Sequence, residues 1–304
     1  MVSREEKAIK LEKEMEKEEK KAKRKKIIIK LVGVFIILLL CIVALICYMH
    51  YIGTKGLQVR EYKIVNNKLP ESFHGFKIVQ YSDLHYLSTV NKSDLKKIVS
   101  TINKLKPDIV VFTGDLIDKN TIVTSNDIND LIELFNKIKV TTGLYAIRGN
   151  HDYDNNYFDL VFNQTSFKIL NNSNDLIYYQ GNMPILIAGI GSSIKENIDI
   201  DNIFSDYDTE NMFTITLLHE PDSIDNILNT EHVDLALAGH SHNGQIRLPF
   251  IGALKTVNGA KKYKNEYYHI GNTDLYISGG IGTSDMKLRF FDRPSISIYR
   301  LVEK

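Results

Sequence analysis

An α/β fold preceded by one membrane-spanning helix is predicted for this 304-residue chain, on two observations. Short β-branched runs alternate with amphipathic helical stretches from Leu57 onward, and nineteen residues without a charged side chain, Leu31–Met49, come before them. Alternation of this kind marks strands covered by helices. The uncharged run, at 1.5 Å per residue, is long enough to cross roughly 30 Å of hydrocarbon. A helix on a soluble core would show a polar face, and this run shows none.

Charge sets the orientation. Residues 1–30 carry twelve Lys/Arg against seven Glu, and the remainder 26 against 30. Lys20, Lys21, Lys23, Arg24, Lys25, Lys26 and Lys30 crowd the N-terminal side of the apolar run, whereas the first basic residues beyond it are Lys55 and Arg60. The excess of positive charge places the N-terminus in the cytoplasm and the globular part outside. A cleaved signal peptide is the competing reading, disfavoured by the long charged leader and the absence of a small-x-small site after the run. The segments are therefore a charged cytoplasmic leader (1–30), a transmembrane helix (31–51) and one globular domain (56–304). Glu16/Lys20 and Glu19/Lys23, four residues apart, suit a solvated helix in the leader. Both cysteines, Cys41 and Cys47, lie in the apolar run, which excludes disulfides, thiolate nucleophiles and cysteine-bound zinc from the globular part.

Within the domain, strands are predicted at Leu57–Val65, Lys77–Tyr81, Asp108–Thr113, Leu144–Arg148, Ile185–Ile190, Phe213–Leu218, Val233–Ala238, Leu275–Ser278 and Ile296–Val302. Helical faces stand out at Leu95, Ile98, Val99, Ile102 and Leu105, with Ser93 or Asp94 as cap, and at Ile128, Leu131, Ile132, Phe135 and Ile138.

Five of those strands end in chemistry. Lys77–Tyr81 runs into Asp83-Leu84-His85, Asp108–Thr113 into Gly114-Asp115, Leu144–Arg148 into Gly149-Asn150-His151-Asp152, Phe213–Leu218 into His219, and Val233–Ala238 into Gly239-His240-Ser241-His242. Each piece alone is ordinary turn or surface chemistry. Turn chemistry gives no reason for Asp, Asn and five of the nine histidines to sit together at strand ends, whereas a metal centre does. Residues two apart on an extended segment face the same way, so Asp83 and His85, and likewise His240 and His242 if the strand persists, are expected to reach one ion together. Carboxylate, amide and imidazole donors without sulfur suit Mn, Fe or Zn. No His-Glu-x-x-His segment supports a zinc protease.

In order and spacing these blocks resemble the calcineurin-like metallophosphoesterase superfamily, whose signature is D-x-H, G-D-x-x-D, G-N-H-D/E, a solitary H and G-H-x-H. Here they read Asp83-Leu84-His85, Gly114-Asp115-Leu116-Ile117-Asp118, Gly149-Asn150-His151-Asp152, His219 and Gly239-His240-Ser241-His242. His240–Pro249, Gly282-Thr283-Ser284, Arg289-Phe290 and Arg293-Pro294-Ser295-Ile296 resemble a membrane-anchored bacterial branch, part of it similar to UDP-2,3-diacylglucosamine hydrolases. The chain departs from that branch at Asn243, Gly279 and Asp285, where glycine, arginine and glycine are usual; this puts substrate preference in doubt rather than activity.

The resemblance implies a four-layer α/β/β/α sandwich and two divalent metal ions. One would be held by Asp83, His85, Asp115 and His242, the other by Asp115, Asn150, His219 and His240, with Asp115 shared. It implies an activated hydroxide as nucleophile, His151 as general acid and Asp152 as the residue that orients it. Asp118 is expected to be a cap or hydrogen-bond acceptor, and Arg247, Arg289 and Arg293 are candidate phosphate holders. The Lys261-Lys262-Tyr263-Lys264 run reads as a solvated loop. A metal-dependent phosphoester hydrolase, of phosphodiesterase type, is the leading function; the alternative is a non-catalytic membrane-anchored binding module. Expected partners are the lipid bilayer and a phosphoester substrate, with no nucleic acid. From Met49 to Leu57 the chain reaches at most about 28 Å at about 3.5 Å per residue, which confines the domain to the membrane surface and favours a lipid-linked or envelope phosphate compound.

The topology has a direct consequence. A protease added to cells stripped of any wall is expected to digest the domain and spare the leader; a digested leader with a protected domain would reverse the orientation.

Overall fold

In the computed structural model, which describes residues 4–303, most interior strands are short, largely apolar and buried, as strands covered on both sides must be. They build two six-stranded sheets. The first runs β1 (Gln58–Asn66), β14 (Ser295–Glu303), β2 (Lys77–Tyr81), β3 (Ile109–Phe112), β4 (Gly143–Ala146), β5 (Phe167–Ile169); the second runs β12 (Tyr267–Ile270), β13 (Thr273–Ile277), β9 (Leu235–Ala238), β8 (Thr214–Leu218), β7 (Ile185–Gly189), β6 (Ser173–Ile177). Within the first, β2, β3, β4 and β5 are parallel neighbours; within the second, β7, β8, β9 and β13 are. A two-stranded ribbon, β10 (Arg247–Leu248) with β11 (Gly252–Ala253), stands apart from both.

The sheets pack face to face. Ile78, Ile109, Val111 and Ile147 from the first meet Ile187, Ile215, Leu217 and Leu237 from the second in one buried cluster. The outer face of the first sheet is covered by α2 (Lys92–Leu105), α3 (Ser125–Phe135) and α4 (Tyr157–Phe162). Short helices α5 (Ile200–Phe204) and α6 (Ile224–Leu228) cover that of the second. The order helix, sheet, sheet, helix is the predicted sandwich.

All nine predicted strands form, within two residues at most ends. The strands without a prediction, β5, β6 and β12, are sheet edges, with β10 and β11 in the ribbon. An edge strand such as β6, Ser-Asn-Asp-Leu-Ile, needs no apolar run because one side faces solvent. The cap of α2 is corrected. Asn91, not Ser93 or Asp94, accepts from the backbone N–H groups of Ser93 and Asp94, while Asp94 returns a bond to the Asn91 N–H.

The chain divides into two compact units, Met1–Tyr48 and Met49–Lys304. The first is helical throughout its described part, within α1 (Arg4–Tyr51), which is long and apolar enough to cross a membrane. In the second unit the chain stays helical through Met49–Tyr51, and Met49 is already hydrogen-bonded through its carbonyl to Arg289 N–H. The extended tether from Met49 to Leu57 expected from the sequence is thus shortened to the residues after Tyr51.

Candidate active site

The carboxyl ends of β2, β3 and β4 in one sheet meet those of β8 and β9 in the other. Two close approaches hold them together. Gly114, at φ 95°, lies so near that a Cβ would come within 2.5 Å of the Gly149 nitrogen and of His219 Nδ1. At Gly149 a Cβ would lie 2.3 Å from Asp115 Oδ1. Side chains there would prise the two sheets apart.

The structure brings together all seven residues expected to hold metal, but not by the extended geometry expected for them. Asp83 (φ 51°) and His85 (φ 40°) have left-handed backbone, as do His240 (φ 65°) and His242 (φ 46°), so neither pair is aligned by strand pleat. Asp115, at φ 61°, is left-handed too. Such conformations cost of order 1–3 kcal/mol each in ordinary residues, and they cluster where surroundings over-determine them for function. The expectation of a persisting strand is therefore corrected: the segments leave their strands as tight coils that turn several donors inward.

Two groups result. Asp83, His85 and His242 present donor atoms all within 4.8 Å of one another, and so do Asp115, His219 and His240. Asp115 Oδ2 lies 3.3 Å from His219 Nε2 and 3.8 Å from His85 Nε2, which puts one carboxylate between the groups. Asn150 Oδ1 joins the second group, 3.2 Å from His219 Nε2.

Outer hydrogen bonds assign the ring nitrogens. His85 Nδ1–H donates to Asp118 Oδ1 (2.6 Å) and His219 Nδ1–H to the Thr113 carbonyl (2.8 Å), so Nε2 of each faces the centre. His240 Nε2–H donates to the Asn258 carbonyl (2.7 Å), leaving the Nδ1 lone pair 3.3 Å from His219 Nε2. His242 Nε2 stands 3.0 Å from His85 Nε2. Nitrogen and oxygen donors converging at these distances leave places for a proton or a cation between them.

The titration pattern says the same. Burial opposes a charge on His85, but the Asp118 hydrogen bond and the charges of Asp118, Asp115 and Asp83 push it up to about 9. Burial opposes a charge on His219 too, but Asp115 raises it well above its ordinary value. His240 is lowered by burial and the His219 charge, and His242 well below normal by burial, His85 and Arg289. Two imidazoles thus want to be positive and two neutral, one of each kind in each group. A neutral imidazole is what a metal requires, and protons on His85 and His219 stand where cations would. Oxygen and imidazole donors without sulfur fit two divalent cations.

Beside the donors opens a cavity of about 390 Å³. Asp115, Asn150, His151, His240 and His242 are among its lining, together with five apolar side chains, Ile194, Ile246, Leu254, Val257 and Met286. His151 has a ring about one quarter exposed. Its expected partner is corrected. Asp152 accepts from the backbone N–H groups of Asp115 (2.8 Å), Leu116 (2.9 Å) and Gly149 (2.8 Å), so its oxygens tie β3 to β4 rather than orient His151. Burial and Asp115 push its carboxyl up to about 7 against those donors. The carboxylate beside His151 is that of Asp118, 3.4 Å from Nδ1. Asp118 therefore accepts from His85 and lies close to His151 without a hydrogen bond to it, and is the acceptor expected, though not a helix cap.

The arginines do not converge on the cavity. Arg289 is fully buried and donates to the Gly282 carbonyl and to Asp292; Arg247 donates to Asn243 and Asn265. In the lysine run, the N–H groups of Lys261, Lys262 and Tyr263 wrap Asp222 and Lys262 pairs with Asp225, which is loop structure. The apolar lining was not anticipated, since Ile194, Leu254, Val257 and Met286 lie in loops or short elements with no periodic signal.

A family model described as calcineurin-like phosphoesterase matches residues 76–244, more than half of the chain and all seven donors. The chain belongs to this family. It is therefore a metal-dependent phosphoester hydrolase by family, with two groups of side chains able to bind metal. The uncharacterized metallophosphoesterase YkuE of Bacillus subtilis is 33% identical over 258 residues, 84% of this chain and 88% of that one. Metallophosphoesterase Cj0846 of Campylobacter jejuni is 32% identical over 259 residues, 82% of this chain and 65% of its own length. The UDP-2,3-diacylglucosamine pyrophosphatase of Chlamydia muridarum is 26% identical over 294 residues, 77% of this chain and 86% of that one.

The raised His85 value gives a prediction. A cation in the first group must displace the His85 proton, so affinity should rise as pH rises toward about 9, about tenfold per pH unit per proton released, and level off above it. Chelator-competition titration with Mn²⁺ across this range, with proton release followed in weak buffer, checks it; pH-independent affinity without proton release would contradict the assignment.

Proposed function

We propose that the chain hydrolyses phosphodiesters or pyrophosphates of lipid-linked compounds at the outer membrane surface, with two divalent cations. The observation that carries this is the Asp115 carboxylate standing between two donor groups and lining a cavity that five apolar side chains also line. Asp83, His85 and His242 would hold one cation, Asn150, His219 and His240 the other, and Asp115 both. Bound there, the pair supplies hydroxide at neutral pH and charge for the phosphoryl oxygens.

The chain's own residues do the rest. His151 lines the cavity beside the donors, with the Asp118 carboxylate 3.4 Å from its Nδ1, where it would donate a proton to the leaving oxygen. Asp152 fixes the backbone on which Asp115 and His151 stand, and the His151 N–H in turn donates to Asp115 Oδ1 at 2.9 Å.

Charge and apolarity favour a substrate class. Among the described residues lining the cavity, Lys255 is the one lysine or arginine, and Asp285 pairs with it at 2.7 Å. A dianionic monoester would find little added positive charge, whereas a diester carries one negative charge per phosphate. The apolar side chains Ile194, Ile246, Leu254, Val257 and Met286 in the cavity lining suit a hydrocarbon portion of the substrate. The Chlamydia relative carries the name of a pyrophosphatase of a diacylated sugar nucleotide, which agrees with this reading. The uncharged run Leu31–Met49 and the excess of positive charge before it support action at the outer surface.

Two variants test the roles. His151→Ala should keep its metal but lose about 10²–10⁴ in kcat on a generic diester, most severely with poor leaving groups, whereas Asp115→Ala should lose metal as well. Elemental analysis beside turnover of a diester, a monoester and a lipid pyrophosphate decides. Equal metal loss in both variants would make His151 a ligand, and a preference for the monoester would overturn the substrate class.

A further inference from the structure

Three apolar residues that line the cavity, Ile246, Leu254 and Met286, are close in sequence to large apolar side chains left exposed in the unit Met49–Lys304. Strands β10 and β11 pair through Arg247 with Ala253 and Leu248 with Gly252, and only Pro249-Phe250-Ile251 joins them. Left-handed backbone at Phe250 (φ 67°) and Gly252 (φ 83°) turns the chain within that short tip. The two large side chains are left in solvent, Phe250 at 108% and Ile251 at 72% exposure. A hairpin tip in water needs polar turn residues, not these.

The stem is held firmly. Arg247 N–H donates to the Phe290 carbonyl (2.9 Å), Phe290 N–H to the Gln245 carbonyl (3.1 Å), and Gln245 Nε2 to the carbonyls of Met286 (2.6 Å) and Leu288 (2.9 Å). The strapped segment adds exposed Met286 and Phe291, the latter at 68%, and exposed Lys287. Ile246, Leu254 and Met286, in the same substructure, line the cavity.

This segment also receives the start of the unit. Arg289 N–H donates to the Met49 carbonyl at 3.1 Å, and His50 Nδ1–H to the Lys287 carbonyl at 2.7 Å. Met49 closes the uncharged run that begins at Leu31, and exposed Tyr51 and Ile52 follow it. The residues that bond to Met286–Phe291 are thus covalently continuous with the membrane span.

We propose that the tip Pro249-Phe250-Ile251, with Met286 and Phe291, inserts into the bilayer that the apolar helix spans, so that the cavity opens at the lipid–water boundary. Continuity with the span selects lipid over a protein partner, because the anchor keeps this patch within reach of a bilayer at all times. Aromatic and aliphatic side chains at an interface, with Lys287 beside them for anionic headgroups, match that partner. The inference rests on the membrane-span reading and is independent of which phosphoester is cleaved.

The chain has no tryptophan, so a single one reports its own surroundings. Full-length Phe250→Trp and, as a control, Ile122→Trp, at a position 90% exposed in the segment between β3 and α3, are reconstituted in phosphatidylcholine–phosphatidylglycerol vesicles with and without brominated acyl chains. Phe250→Trp should emit to the blue and be quenched about twofold or more by bromine, as expected for a side chain at the acyl boundary, with Ile122→Trp unaffected. Red emission without bromine quenching, or equal quenching of both, would overturn the proposal. Blue emission that bromine leaves alone and that fades on dilution would also overturn it, and would place a second copy of the chain on the tip. The readout needs no turnover, so its failure is distinct from failure of the hydrolase assignment.

Discussion

Two carboxylates, Asp83 and Asp115, are buried where two sheets meet, one fully and the other to 2% exposure. Charge in such a place is costly unless it is paired and hydrogen-bonded. The cost shows on Asp83, which burial pushes up even as the His219 charge pulls it down. On Asp115 burial is outweighed, and His219 with His85 and His151 holds it well below the usual range. Their close partners are ring nitrogens and backbone N–H groups, such as that of His240 on Asp83 at 3.0 Å. The centre is therefore built around positive charge supplied by imidazolium or by metal, and the backbone conformations around it follow from that need.

The sandwich makes the convergence possible. Parallel neighbours β2, β3 and β4 deliver Asp83, Asp115 and Asn150 from one sheet, and β8 and β9 deliver His219, His240 and His242 from the other. Bonds across the junction fix the sheets to each other at the site itself. His219 of the second sheet donates to the Thr113 carbonyl of the first, and Gln80 of the first donates to the Ala238 carbonyl of the second at 3.0 Å. A shift of one sheet against the other would break the donor groups and these bonds together, so packing and chemistry share one geometry.

Much of this was legible in the sequence, for a physical reason. Interior strands must be largely apolar, so β2, β3, β8 and β9 stand out as runs rich in β-branched and aliphatic residues, and the Asp, Asn and His residues after them stand out by contrast. The residue types of the metal centre were readable because no packing demand explains them. Their alignment was not. Left-handed backbone at Asp83, His85, His240 and His242 depends on contacts from the other sheet, such as Asp83 with the His240 N–H, which no local pattern encodes. The exchange of roles between Asp118 and Asp152 was hidden likewise: both follow a strand of the first sheet, and only the fold shows that one faces His85 and His151 while the other binds backbone. The cavity wall and the Phe250 tip come from segments too short for periodicity to mark.

The Asp115 carboxylate stands between two donor groups, where two cations would share it. Diffraction from crystals grown with Mn²⁺, recorded at the manganese absorption edge, tests it most directly. Two anomalous peaks are expected in each chain, one among Asp83, His85 and His242, one among Asn150, His219 and His240, both in contact with Asp115. A single peak in one group, or peaks that Asp115 touches on one side only, would contradict it.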